Sequence, residues 1–291
     1  MIVRPKEFIN FAMEIKTKHH MSSWTIEGLL ENIGLRKAPI YGVAFSGGGA
    51  RGFSHVGVMM ALEKFGIKPA VLSGVSSGSI AAVLYGSGLT PKEIMDCFNQ
   101  YTKFTEFTEW AIPKEGFMRL NRFGKILDSW LTVKNLEDLT IPTIVCATDI
   151  ENAKSIGWSK GEIVERVLAS CSIPIVFTPI KIDGINYVDG GVLRNLPAWA
   201  IRKYCTVLIG SNCNPVNHRF KYKNSIIDVA LRSYQLMQKS NASADLNLCD
   251  IVIQSDVLSE YKTFDVAHMK RILVHGYDAS CRAIEAYLSN Q

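Results

Sequence analysis

Short apolar runs alternate with amphipathic segments from Tyr41 onward in this chain of 291 residues. The run "YGVAFS" has the length and composition of a buried strand, and "FSHVGVMMALEKFG" has helical spacing and ends at Gly66. A second strand, "AVLSG", and a second helix, "SGSIAAVLYGSG", follow directly. Strands that alternate with helices predict parallel strands joined by right-handed crossovers. The pattern therefore predicts an α/β fold.

Four further apolar runs predict the remaining strands, and they are "PTIVCATDI", "IKIDGINYV", "TVLIGSN" and "DIVIQS". Within the second run, the pair Asp183-Gly184 predicts a hairpin turn. The segment "TPKE", which begins at Thr90, combines a capping box with proline at the first helical position. We expect "SKGE", which begins at Ser159, to cap the helix "EIVERVLAS". The segment 264–288 predicts a C-terminal helix.

Two amphipathic segments precede the first strand. Residues 5–16 have helical spacing, and "WTIEGLLENIGL" ends at Gly34 as a helix C-terminus does. We therefore expect residues 1–38 to form an N-terminal helical appendage and residues 39–291 to form one catalytic domain. Residues 98–130 are expected to be a helical insertion in that domain.

Composition limits the location and the partners of the chain. Hydrophobic residues make up 47% and charged residues 20%, which is typical of a folded globular protein. No stretch approaches the ~18 apolar residues of a membrane span, and charges from Arg4 onward do not fit a secretory signal. The seven scattered cysteines indicate a reducing compartment. We expect a cytoplasmic protein, with peripheral membrane contact left open. The formal net charge is +5, but the basic residues form no stripe along the sequence that would indicate nucleic acid binding.

A serine stands between two glycines where the second strand meets the second helix. Gly74, Ser76 and Gly78 match G-x-S-x-G, the pattern of a nucleophile elbow at a sharp strand-to-helix turn. Glycines relieve the crowding beside the serine, and the helix N-terminus directs its amides toward negative charge. A tight structural turn without chemistry would have the same pattern. The motif alone leaves both interpretations open.

A glycine run, "SGGGARG" at residues 46–52, also follows a strand and opens a helix. Its glycines satisfy the spacing of a dinucleotide-binding loop, but that loop requires an acidic residue at the end of the second strand. The only acid between positions 68 and 94 is Glu93. We favour an oxyanion hole, because successive glycines let backbone N–H groups approach a developing negative charge. The Arg51 side chain could stabilise negative charge or pair with an acid of the fold, and we favour the second role.

A serine nucleophile needs a base, and the chain offers two kinds of candidate. Asp189 begins "DGG" after the strand "INYV", which would place a carboxylate at a strand end, although Asp-Gly turns are common. His218, His268 and His275 follow the serine and the aspartate in the order of an α/β-hydrolase triad. The early elbow and the helical context of the last two histidines argue against a triad. His55 is expected to be a core side chain.

Four motifs stand in order along the chain, and they are "GGGARG", "GVSSG", "ASCSIPIVFTP" and "DGG". Together they resemble the patatin-like phospholipase family, from about Tyr41 to about Asn212, and the glycine run is most similar to the bacterial branch. The resemblance implies a three-layer α/β/α fold with a mostly parallel central sheet. It also implies hydrolysis of phospholipids, lysophospholipids or simpler acyl esters, without a metal or cofactor. A non-catalytic lipid-binding or regulatory module that kept the fold is the alternative.

The resemblance implies roles for individual residues. Ser76 would be the nucleophile and Asp189 the base of a dyad that uses no catalytic histidine. A free aspartate has a pKa near 4, so burial would have to raise the pKa of Asp189. The implied supporting residues are Gly47, Gly48, Gly49, Ala50, Arg51 and Gly52 at the oxyanion hole, Gly74 and Gly78 at the elbow, and Gly190 and Gly191 beside the acid.

Aromatic residues are concentrated in the expected insertion, with lysines and arginines between them. Such a segment fits a cap over an acyl-chain groove or a membrane-facing surface. It also fits a helical insertion that packs on a small core of its own. The sequence leaves both open for Phe98, Tyr101, Phe104, Phe107, Trp110, Phe117, Phe123 and Trp130.

Overall fold

The computed structural model of the chain describes residues 39–101, 103–110, 116–216 and 225–290. The expected N-terminal appendage, residues 1–38, lies outside the described residues, and its boundary with the catalytic domain stays a prediction. Residues Tyr41–Gln291 form one compact unit.

Strands and helices alternate as the apolar pattern predicted. The first part of the unit contains β1 (Tyr41–Phe45), α1 (Phe53–Lys64), β2 (Pro69–Val75), α2 (Ser77–Gly86), α3 (Pro91–Asn99), β3 (Glu109–Trp110), β4 (Met118–Arg119), α4 (Asn121–Trp130) and β5 (Thr143–Asp149). The second part contains β6 (Lys154–Trp158), α5 (Ile163–Ser170), β7 (Ile180–Ile182), β8 (Ile185–Asp189), α6 (Ala198–Ile201), β9 (Val207–Asn212), α7 (Ile226–Asn241), α8 (Ser243–Leu246), β10 (Ile251–Gln254) and α9 (Met269–Ser289).

The central sheet is mostly parallel and brings the candidate loops to one edge. Its order is β10-β9-β1-β2-β5-β8-β7, with β6 also paired to β5. The first five strands in this order are parallel, whereas β6 and β8 run antiparallel to β5 and β7 runs antiparallel to β8. Phe45, the last residue of β1, is paired with Gly74 of β2 and Ser211 of β9. The loops after these strands therefore meet at the carboxyl edge, where α/β sheets bind ligands.

Helices cover both faces of this sheet. Side chains of β1 alternate between two buried clusters, with Val43 and Phe45 in the first and Ala44 in the second. The first cluster includes side chains from α1, α2 and α9, and the second includes side chains from α6. The predicted three-layer α/β/α arrangement is confirmed.

Two local signals in the sequence are confirmed in detail. The amide of Glu93 donates to Thr90 Oγ1 at 3.3 Å, and the Glu93 carboxylate accepts from the Thr90 amide at 2.8 Å, which completes the capping box of α3. Strands β7 and β8 form the predicted hairpin. Its turn residues, Asp183 and Gly184, have φ values of 51° and 87°, as a two-residue hairpin turn requires.

The expected cap of α5 is wrong. The residue that precedes the helix is Glu162, and no side chain caps its first turn. Instead the amide of Ile163 donates to the carbonyl of Lys134 at 2.8 Å, so a neighbouring loop satisfies the helix end. The preceding turn contains Gly161, whose amide donates to Glu137 at 2.7 Å. This cap could not be predicted from the sequence, because it is a backbone carbonyl from a segment nearly thirty positions earlier in the chain.

The insertion contains a feature that the sequence did not predict, the short antiparallel pair β3–β4. Five of its aromatic rings pack together: the ring centroids of Tyr101 and Phe107 lie 4.6 Å apart, and those of Phe98 and Trp130 lie 4.8 Å apart. Phe123 lies 5.9 Å from Phe107. Phe107 and Phe123 belong to the main buried cluster of the unit, and Phe98, Tyr101 and Trp130 pack against it. The insertion therefore packs on the common core rather than on one of its own, and a capping role stays a prediction.

The C-terminal helix α9 packs closely on α1. A Cβ added at Gly57 would lie 2.2 Å from the carbonyl oxygen of Leu273, and one added at Gly276 would lie 2.1 Å from that of Ser54. Each glycine thus lets the backbone of the other helix approach. A larger residue at either position would force the two helices apart.

No helix in the described ranges is both long enough and apolar enough to span a membrane. Helix α9 has 21 residues. Its sequence includes Lys270, Arg271, Asp278, Arg282 and Glu285.

Candidate active site

Ser76 stands at the turn between β2 and α2 in a backbone conformation that is unusual for a serine. Its φ is 52° and its ψ is −127°. Residues other than glycine rarely adopt this combination of backbone angles. The flanking glycines are required by close contacts. A Cβ at Gly74 would lie 2.3 Å from the carbonyl oxygen of Gly78, and one at Gly78 would lie 2.2 Å from that of Phe45. The turn therefore has the geometry of a nucleophile elbow.

The strained turn is held by hydrogen bonds from a motif whose role the sequence did not reveal. The Ser76 amide donates to Ser170 Oγ at 2.8 Å, and Ser170 Oγ donates to the carbonyl of Cys146 at 2.6 Å. Ser170 lies in "ASCSIP", at the end of α5. The carbonyl of Ser76 accepts from the hydroxyl of Ser79 at 2.6 Å. Ser170 thus links the elbow to the neighbouring strand β5.

Asp189 is fully buried at the end of β8, beside the elbow. Its Oδ1 accepts from the Gly191 amide at 2.8 Å. The hydroxyls of Ser76 and Tyr234 lie close enough to favour the charged carboxylate, although neither makes a hydrogen bond of full geometry with Oδ2. Burial outweighs these contacts and raises the pKa of Asp189 to about 6. The raised pKa makes this carboxylate a stronger base than a free aspartate.

The glycine run presents two uncommitted backbone amides. The Gly47 amide donates to the carbonyl of Asn195 at 3.1 Å, and the Ala50 amide donates to the carbonyl of Thr263 at 2.7 Å. Within the described part of the chain, the amides of Gly48 and Gly49 have no such acceptor. Both residues line a small recess that also includes Ser76. Of the amides expected to form an oxyanion hole, these two remain available to a ligand.

An apolar cavity of about 130 Å³ begins at Ser76. Its lining comes from the glycine run, from α1, α2 and α3, and from the insertion, and it is almost entirely apolar. Phe98, Phe107 and Phe123 of the insertion contribute to it together with Phe53 of α1. The aromatic rings that pack on the core therefore also form one wall of the space beside the serine.

A family model described as patatin-like phospholipase matches residues 43–201, which is more than half of the chain. The chain belongs to the patatin-like phospholipase family. The resemblance carried by the four motifs is thereby confirmed. Both Ser76 and Asp189 lie within the matched residues.

Curated relatives of this patatin-like chain are bacterial and fungal. An uncharacterized NTE family protein of Mycobacterium tuberculosis is 30% identical over 175 residues, which cover 55% of this chain and 45% of that protein. Lysophospholipase NTE1 of Meyerozyma guilliermondii is 29% identical over 167 residues, which cover 56% of this chain and 12% of that protein. The chain thus spans less than half the length of these relatives.

Among solved structures, VipD from Legionella pneumophila is similar in fold. The TM-score is 0.50 at 16% sequence identity, and the match covers 86% of this chain and 67% of VipD. The match extends well beyond the residues that the family model covers.

Helix α7, which follows the matched residues, contributes a polar network to the patatin-like site. Gln238 donates to Asn195 Oδ1 at 2.9 Å, and Asn195 Nδ2 donates to the carbonyl of Gly47 at 3.1 Å. Asn241 accepts from the Asn195 amide at 2.9 Å and donates to the carbonyl of Gly191 at 2.9 Å. One helix therefore fixes both the glycine run and the loop of Gly190 and Gly191 that follows Asp189, here called the acid loop. None of these three side chains was predicted from the sequence as part of the site.

Arg51 is buried, and its described hydrogen bonds are to backbone carbonyls rather than to the acid that the sequence analysis favoured. Its Nε donates to the carbonyl of Gly48 at 3.1 Å, and its Nη1 donates to that of Pro215 at 3.3 Å. Burial lowers the pKa of the guanidinium. These contacts hold the loop on which the free amides lie.

Three histidines lie in the described residues, and their hydrogen bonds are to groups other than Ser76 and Asp189. His55 is buried and contacts Ser211 Oγ and the carbonyl of Ser46 at 2.8 Å and 2.9 Å, and burial lowers its pKa to about 4. His268 contacts Asp265, and His275 contacts Tyr261. His218 lies outside the described residues. The expectation that His55 is a core side chain is confirmed.

Proposed function

We propose that this chain is a serine hydrolase of lipid acyl esters that works through a Ser76–Asp189 dyad and an acyl-enzyme. The observation that carries the proposal is the position of Ser76, which stands on a strained elbow, beside a buried carboxylate and at the wall of an apolar cavity. A hydroxyl in this position suits an ester whose acyl part is apolar. The relative named as a lysophospholipase supports the same substrate class.

The reaction begins when Ser76 Oγ attacks the ester carbonyl carbon. Asp189 accepts the hydroxyl proton as the new C–O bond forms, and the carbonyl oxygen becomes the tetrahedral oxyanion. The amides of Gly48 and Gly49 donate to this oxyanion, and each such donor is worth roughly 3 kcal/mol. When the bond to the leaving alcohol breaks, Asp189 returns the proton to it. Water then repeats the sequence on the acyl-enzyme, releases the fatty acid and restores Ser76.

The cavity favours one acyl chain of limited length. Its volume of about 130 Å³ is close to that of an engineered protein cavity of roughly 150 Å³ that binds benzene. A long acyl chain would extend beyond it unless side chains moved. A phospholipid with two chains would leave the second chain outside the cavity. Esters with one short to medium acyl chain, including lysophospholipids with such a chain, are therefore the preferred substrates of this proposal.

The experiment that tests the function is an ester panel with analysis of the products by mass spectrometry. We expect release of free fatty acid, with a higher kcat/KM for short to medium acyl chains than for long ones. The panel contains p-nitrophenyl esters of increasing chain length, lysophosphatidylcholine and phosphatidylcholine. Binding of these lipids without hydrolysis of any ester would favour the non-catalytic module instead.

Phe107 provides a test of the acyl cavity. It is buried in the aromatic cluster and lines the cavity, so Phe107→Ala should shift the preferred acyl chain to greater length. The measurement is kcat/KM across the same esters. Phe107→Leu removes less side-chain volume and should shift the preferred chain length less. This variant is also less destabilising, so it tests the cavity even if Phe107→Ala does not fold. Phe65→Ala is the control, because it removes a ring that does not line the cavity, and it should leave the preferred acyl-chain length unchanged. If neither Phe107 variant changes the dependence of kcat/KM on chain length, the acyl site lies elsewhere.

Gly48→Ala tests the two free amides. The added Cβ would lie 2.4 Å from Cys213 Sγ, so the loop must shift and the amides lose their alignment. We expect kcat to fall by about 10²-fold with little change in KM, because the oxyanion exists only in the transition state. Adding Cys213→Ala makes room and should restore part of kcat. Lys181→Ala, an exposed change on β7 away from the glycine run, is the control. A rise in KM at constant kcat in Gly48→Ala would contradict this role.

A further inference from the structure

Two polar atoms beside the candidate nucleophile are buried and lack hydrogen-bond partners of full geometry. They are Oδ2 of Asp189 and the hydroxyl oxygen of Tyr234. A buried polar atom without a partner is costly, so the described structure leaves few such atoms without a reason. One of these two atoms is an acceptor and the other carries a proton. The tyrosine hydroxyl could therefore donate a hydrogen bond to the carboxylate oxygen.

The Tyr234 hydroxyl lies directly on the acid loop. A Cβ added at Gly191 would be 2.5 Å from this hydroxyl, and the Gly191 amide is the group that holds Asp189 Oδ1. Tyr234 is buried on α7, four residues before Gln238, which fixes Asn195. The ring is therefore held by a helix that the polar network already anchors on both sides of the site.

The hydroxyl can act only as a donor to the carboxylate. Burial and the nearby charge of Asp189 raise the pKa of Tyr234 well above its ordinary value, so the phenol keeps its proton. The other titratable group against Asp189 is the Cys171 thiol, whose pKa burial also raises, so that it stays neutral. Asp189 thus faces neutral side chains from three elements, which are the hydroxyl of Ser76 at the elbow, the thiol of Cys171 at the end of α5 and the hydroxyl of Tyr234 on α7.

We propose that Tyr234 is a positioning residue, whose hydroxyl donates to Asp189 Oδ2 during the reaction and holds the carboxylate toward Ser76. The inference rests on the proposed dyad and adds a third group to it from a helix outside residues 43–201. A carboxylate held by the Gly191 amide on one oxygen alone can rotate about its χ2 torsion. A second donor removes that freedom and keeps a lone pair directed at the serine hydroxyl. Catalytic hydrogen bonds are often loose before substrate binds, which fits the incomplete geometry.

The donor also opposes the effect of burial on the acid. Hydrogen bonding to Tyr234 lowers the pKa of Asp189, whereas burial raises it. Without the hydroxyl, the pKa of the carboxylate would be higher, so a smaller fraction of Asp189 would be ionised and able to accept a proton near neutral pH. A tyrosine that only filled space would have no such effect, because phenylalanine has nearly the same shape.

The first test is the pH dependence of kcat/KM for Tyr234→Phe on a soluble short-chain ester. We expect the acidic limb to move upward by about one pH unit and kcat near pH 7 to fall by about 10-fold, with KM little changed. Tyr204→Phe, in an exposed ring, is the matched control and should keep the parental profile. An acidic limb that stays in place in Tyr234→Phe would overturn the inference. Loss of the proposed function would be seen separately, as an inactive parent.

The second test does not depend on activity. Thermal unfolding is measured for the parent, Tyr234→Phe, Asp189→Asn and the double variant at pH 8 and pH 4.5. At pH 8, removal of the hydroxyl should lower the Tm by several degrees in the parent and by less than half as much when Asp189 is Asn. At pH 4.5 the two shifts should be similar, because Asp189 is then neutral. Equal shifts in both backgrounds at pH 8 would show that the hydroxyl does not act on the carboxylate.

Discussion

Ser76→Ala is expected to reduce ester hydrolysis by at least about 10³-fold and to abolish labelling by a fluorophosphonate, because the proposed acyl-enzyme forms on the Ser76 hydroxyl. The fold should survive the change. Alanine and serine have the same steric difficulty at a φ of 52°, so the strain of the elbow is unchanged, and no hydrogen bond within the described residues requires Ser76 Oγ in order to hold the turn. Circular dichroism and the Tm measure the fold in the same preparation.

The neighbouring Ser77 is the control for position. Its hydroxyl is buried and has no hydrogen-bond partner in the described structure, yet it lies one residue beyond the elbow. Ser77→Ala should still be labelled, and the labelled peptide should carry the modification at Ser76. If Ser76→Ala still reacts with the probe and hydrolyses esters, the nucleophile is another residue and the elbow is only a turn.

The elbow also allows a test of stored strain. Glycine adopts a φ of 52° more readily than serine, so Ser76→Gly should be more stable than Ser76→Ala by about 1 kcal/mol. Urea unfolding measures the difference. Equal stability of the two variants would indicate that the turn is relaxed rather than strained.

Local motifs were predictable because their chemistry is short in range. Only glycine fits at positions 74 and 78, because a Cβ there would clash with backbone atoms a few residues away or on the adjacent strand. A requirement of this kind can be recognised from the glycine spacing in the sequence. The capping box at Thr90 and the hairpin turn at Asp183 are similar cases, since each is complete within four residues. Alternating apolar runs likewise predicted most strands of the central sheet.

The polar residues that support the site could not be recognised from the sequence in this way. Tyr234, Gln238 and Asn241 lie on one face of α7, spaced four and three residues apart, which is helical spacing. A polar stripe of this kind normally indicates the exposed face of a helix, and only the fold reveals that this one faces Asn195. Strand β6 was missed for a related reason: "KSIGW" is short and only half-buried, and its pairing with β5 decides its conformation.

Asp189→Asn is expected to remove most activity and, at neutral pH, to stabilise the protein. The amide cannot accept the Ser76 proton, so we expect kcat to fall by about 10³-fold or more. In the parent, activity should fall on the acidic side with a midpoint near the Asp189 pKa of about 6, because only the ionised carboxylate is a base. His218→Ala, His268→Ala and His275→Ala should each keep activity within a few-fold. A loss of several orders of magnitude in any one of them, with the fold intact, would favour a Ser-Asp-His triad.

The stability effect follows from the direction of the pKa shift. Burial raises the pKa of Asp189 from 3.8 to about 6, so the folded state binds this proton more tightly than the unfolded chain does. The buried carboxyl is therefore most favourable to folding below about pH 4, and that advantage is lost as the pH rises through 6. An asparagine stays neutral and can still accept from the Gly191 amide. Asp189→Asn should then be more stable than the parent at pH 8 by up to about 3 kcal/mol, since each pKa unit corresponds to about 1.4 kcal/mol.

Urea unfolding of both proteins at pH 8 and pH 4 measures this effect. The difference in unfolding free energy should be largest at pH 8 and should nearly vanish at pH 4, where the parental carboxyl is also neutral. A difference of equal size at both values would indicate a change in packing rather than the cost of a buried charge. If Asp189→Asn is instead less stable at pH 8, the contacts of the carboxylate with Gly191, Ser76 and Tyr234 outweigh its burial. The pKa of Asp189 would then lie below 3.8, and the acidic limb of the activity profile would move down with it.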